Sequence, residues 1–422
     1  MKKTCLLLTS SGGGGHLEAT AAIAHELHVT QPELHVIQRD ILKDWMGRWF
    51  GRFLPEFWNY AQKKGNIIAQ KLLCCFIPSF HILCWLPVFF NALYLLLKQN
   101  VTWIIDSQPF GSHSIFKAIY FVEKWKKVSI RYEKVFVDLP TVEAGHYFVP
   151  IKKLSQKDKN RLYIHTLEPL LEEGQTEAEF WQLHTGVPLE NISYASLPLR
   201  PSFKALDLPF AKHKPVTMAP RICSQNEWDL LAPIIKSGTL ETDYCDPYLD
   251  LTIPPEAKVT TLMLGSQPAY KATQQYVKHF IDLKRNTLDR HDILFVFCRK
   301  KNLLKSVCHQ IMDVDVFPDN LTIIPLTFQD DSVIAPLIAR SDATITRSGG
   351  MTTMELLTTM EGQVYVHSEA KIRNPDAPVE AYLKGIPYWE KGNAQYLIAK
   401  KGARITTPDQ FPSLARGYFL GT

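Results

Sequence analysis

Apolar residues in this chain cluster into short continuous runs, with longer polar or mixed stretches between them. Residues 4–9 (TCLLLT) form the first run. Others follow at 35–38, 102–105, 134–137, 260–264, 293–297, 321–324 and 343–345. Runs this short and this apolar predict strands buried on both faces. The segments between most of them have helical character, clearest in the Ala-rich stretch 16–27. A regular strand–helix alternation predicts parallel sheets with right-handed crossovers, and such sheets bind ligands at the C-terminal ends of their strands. The alternation restarts after the Pro-containing stretch 198–209, which places a domain boundary near 197–207. Residues 1–200 and 201–422 are thus expected to form separate domains. Residues 215–255, polar and rich in Pro, Asp and Cys, lack a clean period and read as an insertion or an irregular linker.

One stretch departs from this alternation. Residues 72–97 contain no Asp, Glu, Lys or Arg, while Lys63, Lys64, Lys71 and Lys98 flank them. The length would suit a membrane-spanning helix. Pro78 and Pro87, with polar Ser79, His81 and Asn91, argue against a simple span. A helical pair dipping into a membrane interface, or lining a lipid-sized groove, fits the pattern better. A buried core element and a span remain the alternatives.

Composition narrows the class. A chain of 422 residues exceeds one ordinary core, and 46% hydrophobic with 21% charged residues is a globular rather than a disordered balance. A formal charge of +5 with no long basic run excludes a nucleic-acid binder built on charge, yet suits an acidic membrane surface. Eight dispersed cysteines without a CxxC pair point to a reducing, cytoplasmic compartment rather than to a disulfide framework. The apolar run at the N-terminus is too short for a signal peptide and reads as a first strand.

Three segments carry candidate chemistry. Gly12-Gly13-Gly14-Gly15-His16 joins a strand to a helix. Glycines allow close backbone approach, and the helix start offers free N–H groups and a partial positive charge. No Gly-Lys-Ser/Thr follows, and Leu17 stands where a dinucleotide fingerprint needs glycine. His16, beside this loop, is a candidate general base or substrate hydrogen-bonding group. Arg347-Ser348-Gly349-Gly350-Met351-Thr352 repeats the strand–glycine–helix design. Its helix start can hold a diphosphate without a metal, and Glu355, about one turn further, can accept ribose hydroxyls. Trp389-Glu390-Lys391-Gly392-Asn393 opens a helix expected at 394–400, with Glu390 and Asn393 one turn apart. Gly265-Ser266-Gln267 follows the first strand of the second half and is a weaker phosphate candidate. Asp313-Val314-Asp315 matches a metal-binding Asp-x-Asp only by spacing, without a clear preceding strand, and no metal site is expected.

In this order the motifs resemble a family of glycosyltransferases. It includes the plant monogalactosyldiacylglycerol synthases, the processive diacylglycerol glucosyltransferases and the N-acetylglucosaminyltransferases that form lipid II. The similar segments are 9–24 (TSSGGGGHLEATAAIA), 135–140 (VFVDLP), 197–203 (LPLRPSF), 262–267, 297–304 (FCRKKNLL), 346–356 and 390–402 (EKGNAQYLIAKKG). The resemblance implies a GT-B fold, in which two Rossmann-like α/β domains with parallel sheets face each other across a cleft. The first domain would take the acceptor and the second a UDP-sugar, with inversion at the anomeric carbon and neither cofactor nor metal.

By the same resemblance, His16 and Asp138 would be the catalytic or acceptor-side groups, beside the loop of Gly13, Gly14 and Gly15. Ser266 and the turn of Gly349, Gly350, Met351 and Thr352 would hold the donor's diphosphate, with Gln267, Arg299, Arg347 and Ser348 also among the donor-binding residues. Glu355 would bind ribose, and Glu390, Gly392 and Asn393 the donor sugar. The acceptor would be a lipid or a protein, with peripheral membrane contact through 72–97 and no nucleic acid.

There are departures from the family pattern. Ser11 stands where lipid-galactosylating members have an acidic residue, which leaves the base to His16 or Asp138. Trp389 replaces a polar residue, typically Gln. Residues 370–388 are longer and more polar than the usual connection, and the terminal helices that return to the first domain would be short or missing. Other readings are a protein-modifying transferase exported into a host cell, a sugar-nucleotide epimerase, and a nucleotide-sugar-binding protein without catalysis.

Overall fold

The first apolar run forms β1 (Thr4–Thr9), with every residue buried. It lies between β2 (His35–Asp40) and β3 (Val101–Asp106), parallel to both. With β4 (Arg131–Val135), β5 (Leu162–His165) and β6 (Ile192–Ser193), these strands make a six-stranded parallel sheet in the order β2-β1-β3-β4-β5-β6. The computed structural model describes residues 3–11, 14–66, 68–70, 72, 77–194, 198–212, 214–236, 242–285, 291–372, 374 and 376–414. Gly12 and Gly13 of the first glycine loop therefore lie outside the described residues, as do 73–76 of the apolar stretch.

The second half repeats the plan. After a small antiparallel sheet of β7 (Val216–Met218), β8 (Thr242–Cys245) and β9 (Tyr248–Ile253) come β10 (Lys258–Met263), β11 (Asp292–Arg299), β12 (Leu321–Thr327), β13 (Ala343–Thr346), β14 (Gln363–His367) and β15 (Arg404–Thr406). The last six form a parallel sheet ordered β12-β11-β10-β13-β14-β15. Two parallel Rossmann-like sheets, one per half, facing across a cleft, make a GT-B arrangement. The stretch 215–255 is no irregular linker. Its small sheet and the Gln225–Lys236 helix bury Val216, Met218, Leu231, Leu249, Leu251 and Ile253 in the second domain's core. β7 and β8, of three and four residues, are too short to register as a period, whereas the alternation of β9 (YLDLTI, every second residue buried) was there to be read.

In each sheet the strand order reverses once beside the first strand, between β1 and β3 and between β10 and β13. Loops leaving neighbouring strands diverge there, opening a crevice at the strand ends where ligands bind. The two glycine turns of the sequence leave these two points.

The apolar stretch is a helix, Ile77–Lys98. Cys84, Val88, Ala92 and Leu96, spaced by four, are buried, and the helix packs on Ser112–Lys126. The opposite stripe, Leu83, Leu86, Phe90, Tyr94 and Leu97, is exposed. Among residues 82–98, one face of the helix is therefore core and the opposite face is exposed. Lys126 Nζ reaches back to the Leu96 carbonyl at 2.9 Å and satisfies part of the helix C-terminus. Among the described residues, no helix is long and apolar enough to cross a membrane.

Candidate active site in the interdomain cleft

The two switch points face each other closely. A Cβ on Gly14 would stand 3.1 Å from the Ser266 Cβ of the other domain. A Cβ on Gly350 would overlap the Val137 carbonyl, and one on Gly392 the Thr141 hydroxyl. Glycine at these places lets one domain's backbone rest on the other. The cleft between them is lined by Gly14, Gly15, His16 and Asp138 from the first domain. Ser266, Arg299, Arg347, Gly349, Gly350, Met351, Thr352, Glu355 and Glu390 line it from the second.

His16 sits in the first turn of the Gly15–Thr30 helix. Its Nδ1 lies 2.9 Å from the Ser107 carbonyl oxygen, which can only accept, so Nδ1 carries the proton. That leaves the Nε2 lone pair for a ligand. Tyr147 steadies the same carbonyl, its hydroxyl donating at 2.6 Å. Burial pushes the His16 pKa below its usual 6.5, with the nearby Asp138 charge opposing. At neutral pH the ring is therefore an uncharged base.

Asp138, just beyond β4, is not free to act in the same way. One carboxylate oxygen accepts from His146 Nε2 at 2.9 Å and the other from Asn393 Nδ2 at 2.9 Å. Burial alone would raise its pKa, but the His146 hydrogen bond and charge, with lesser help from His16 and Asn393, hold it below the ordinary carboxylate value. It is an anchored anion beside His16.

The second-domain turn is a web of paired charges. Glu355 is fully buried and takes a two-point grip from Arg200, with Nε–Oε1 at 2.6 Å and NH2–Oε2 at 2.8 Å. Burial pushes the Glu355 carboxyl up, and the guanidinium opposes it. Removing one member of such a buried pair costs roughly 3–5 kcal/mol. Arg347 grips Glu390 with contacts of 3.0 to 3.2 Å, and Ser348 Oγ donates to the Glu390 carbonyl at 2.9 Å. Glu390 too is pushed up by burial and restrained by Arg347.

Arg299 differs. Its guanidinium lies over the Phe328 ring at 4.8 Å, held by an aromatic face rather than a carboxylate. It adopts φ 54°, left-handed for a residue with a side chain, where the β11–β12 register slips. Such a conformation costs on the order of 1–3 kcal/mol and is characteristic of ligand sites.

Solved structures similar in overall course include MurG from Acinetobacter baumannii (13% identity, 100% of this chain, 90% of that chain, TM-score 0.46). The spinosyn rhamnosyltransferase SpnG complexed with thymidine diphosphate is another (11%, 100% and 92%, 0.45), and a UDP-N-acetylglucosamine 2-epimerase a third (10%, 100% and 88%, 0.48). No family model and no curated protein sequence matches the chain. At such low similarity the fold rests on the sheet order itself.

Not every expected residue meets the cleft. Asn393 is fully buried between the domains. Its amide donates to Asp138 and to the Ser348 carbonyl at 2.9 Å each, and its oxygen accepts from the Leu139 N–H at 2.7 Å. It clamps the domains and has no donor left for a sugar. Gly392 is packed under Thr141, and Ser348 is buried behind Glu390. Gln267 lies outside the lining, its Oε1 buried without a hydrogen-bond partner. Gly13 is outside the described residues. The Tyr388–Lys401 helix begins six residues before the predicted 394, so Trp389 and Glu390 sit in its first turn. Asp313 and Asp315 are exposed beyond the Lys301–Met312 helix, away from the cleft. Among the described residues, no group of three or more His, Cys, Asp or Glu could hold a metal ion.

Sequence reasoning missed His146, Trp58, Gln62, Phe328 and the pairing role of Arg200. Of these only Arg200 carried a signal, lying in the interdomain segment 197–203. The others acquire their place only when distant elements meet.

Proposed function

We propose that this protein is an inverting, metal-independent glycosyltransferase that moves a sugar from a UDP-sugar to a lipid or other membrane-proximal acceptor. The observation that carries the reading is the meeting of a neutral His16, its Nε2 lone pair available, with the glycine-opened start of the Gly350–Thr359 helix. The free N–H groups of that helix start, with Ser266, would hold the donor's diphosphate by preorganised dipoles. His16 Nε2 takes the proton of the acceptor hydroxyl as its oxygen attacks the anomeric carbon. The bond from that carbon to the diphosphate oxygen breaks on the opposite face, and UDP leaves with the electron pair. Asp138 stabilises the imidazolium that forms. Arg299 and Phe328 suit the nucleoside end of the donor, and Glu355 suits ribose once Arg200 shares it.

The exposed apolar stripe of Ile77–Lys98 supports a lipid acceptor, with Lys98, Lys124, Lys126 and Lys127 near its C-terminal end. Thermal unfolding with a panel of nucleoside diphosphates and sugar nucleotides, without metal, tests the reading. A ligand at 100 times its Kd should add about 2.7 kcal/mol of stability. UDP or a UDP-sugar is expected to raise Tm, and no shift with any of the panel would overturn the reading. Leu86→Glu with Phe90→Glu should release the protein from anionic vesicles; wild-type protein that never binds them would remove the membrane contact.

A further inference from the structure

The acidic residue of the donor-side helix is already engaged. Glu355 stands five residues beyond Gly350 on the Gly350–Thr359 helix. That is about 7.5 Å along the helix axis, within a nucleoside's reach of a diphosphate held at the helix start. A free carboxylate there would accept the 2′- and 3′-hydroxyls of a ribose, one on each oxygen. In this molecule both oxygens accept from Arg200 instead, Oε1 from Nε at 2.6 Å and Oε2 from Nη2 at 2.8 Å. The Glu355 side chain is 1% exposed and that of Arg200 17%, so it is the guanidinium that faces the cleft.

Arg200 is held on its own side as well. It precedes the short helix Pro201–Lys204, and its guanidinium lies over the Phe203 ring at 5.1 Å. Ser202, two residues on, donates its N–H to Asp331 Oδ2 at 2.9 Å, which ties this interdomain segment to the second domain. Glu18 and Asp331 add negative charge around the guanidinium. Backbone, ring and carboxylates together fix the arginine where it is. It is not a surface side chain that drifts aside when a ligand arrives.

We infer that Arg200 masks Glu355 and makes the donor site indifferent to the 2′-hydroxyl, so that a 2′-deoxyribonucleoside diphosphate sugar serves as donor as well as a ribonucleotide one. This deepens the transferase reading and rests on it. A hydroxyl that finds Arg200 in place meets no accessible lone pair on Glu355. One that displaces a guanidinium N–H gains a hydrogen bond to a charged group and breaks another of the same kind. In both cases the advantage over a hydrogen at C2′ is small. An unshared carboxylate would favour the ribonucleotide by about tenfold or more, the worth of one hydrogen bond to a charged group. The selectivity that the acidic residue would confer is thus cancelled by the interdomain segment.

The test measures binding of UDP and 2′-deoxy-UDP to the full-length protein and to two variants. Wild type is expected to bind the two within about twofold. Arg200→Lys keeps the positive charge that buried Glu355 needs, but one ammonium replaces a two-point fork and frees a carboxylate oxygen. It should favour UDP about tenfold, and adding Glu355→Gln to it should remove most of that preference. A larger wild-type preference for UDP overturns the inference, and this comparison needs no variant. So does an Arg200→Lys protein that stays indifferent, or a preference that survives the added Glu355→Gln. If wild type binds neither nucleotide, the transferase reading fails and takes this inference with it.

Discussion

The two glycine turns look alike in sequence, each leading from a buried strand into a helix, but the folded molecule uses them differently. The first ends at Gly14 and Gly15 and leaves His16 with an uncharged, partly available ring. Around the second, every cation but Arg299 that lines the cleft is gripped by a carboxylate, and the helix start at Gly350 rests against the Val137 carbonyl. One turn presents an uncharged imidazole, and around the other the charges are largely paired within the protein. A shared local pattern therefore fixes the backbone and leaves the chemistry to what the opposite domain brings.

The largest test of this contrast removes the group that only the first turn has. His16→Ala should lower turnover about 10²–10⁴-fold, the range for loss of a general base. UDP release with membrane lipid as acceptor would measure it, and the UDP-induced Tm shift should stay intact. A stable variant with full activity would take His16 out of the chemistry. The pH dependence sharpens the point. With the His16 pKa held below 6.5, kcat/KM should rise with pH through a value under 6.5 and level off above it. Stability carries the same sign. Below 6.5 the unfolded chain binds the proton more readily than the native ring, so acidification destabilises the fold. Wild type should lose more stability than His16→Gln between neutral pH and the native pKa, and parallel losses would contradict it.

The second test strikes the close approach at the other turn. In Gly350→Ala the new methyl meets the backbone carbonyl of Val137, which cannot rotate away. Overpacking of this kind costs about 1–3 kcal/mol. The cost falls on the closed arrangement, because the helix itself tolerates alanine at its first residue. Small-angle X-ray scattering should show a larger radius of gyration at unchanged circular dichroism. An unchanged radius would mean that the domains are not held together at this point.

Much of this arrangement was legible in the sequence, for a definable reason. β1, β10, β11, β12 and β13 are buried along nearly their whole length, and β3 at four of its six residues, so apolar residues with interspersed threonines mark them. The fourth strand was expected at 134–137 and lies at Arg131–Val135, because Arg131 and Glu133 hide its start. β5, with alternating exposure, and the three-residue β15 gave no run to read. Gly392 looked like the mark of a helix opening, whereas it lies inside the helix, where a side chain would strike Thr141. Cleft residues such as His16, Ser266 and Gly350 followed from strand ends and helix starts, which are local, whereas Trp58, Gln62 and Phe328 did not. The clamp by Asn393, the anchoring of Asp138 by His146 and the Arg200 grip on Glu355 span 8 to 255 positions of sequence, and no local pattern encodes such meetings.

The smallest expected effect completes the pair. Gly14 has φ −81°, a conformation open to any residue, and an added Cβ would stand 3.1 Å from the Ser266 Cβ and 3.3 Å from its hydroxyl. The obstacle is the Ser266 Cβ, which moves only with its backbone and has to give by a few tenths of an ångström. Replacing glycine by alanine at a compatible conformation stabilises by about 0.4–1 kcal/mol through the unfolded chain. That gain should roughly offset the crowding, so Gly14→Ala should move stability by less than about 0.5 kcal/mol. It should also leave the scattering radius unchanged. If Gly14→Ala expanded the molecule as much as Gly350→Ala, the turns would share one role as contact surfaces. A silent Gly14→Ala beside a disruptive Gly350→Ala would locate the closure in the second turn, where the opposing atom is backbone.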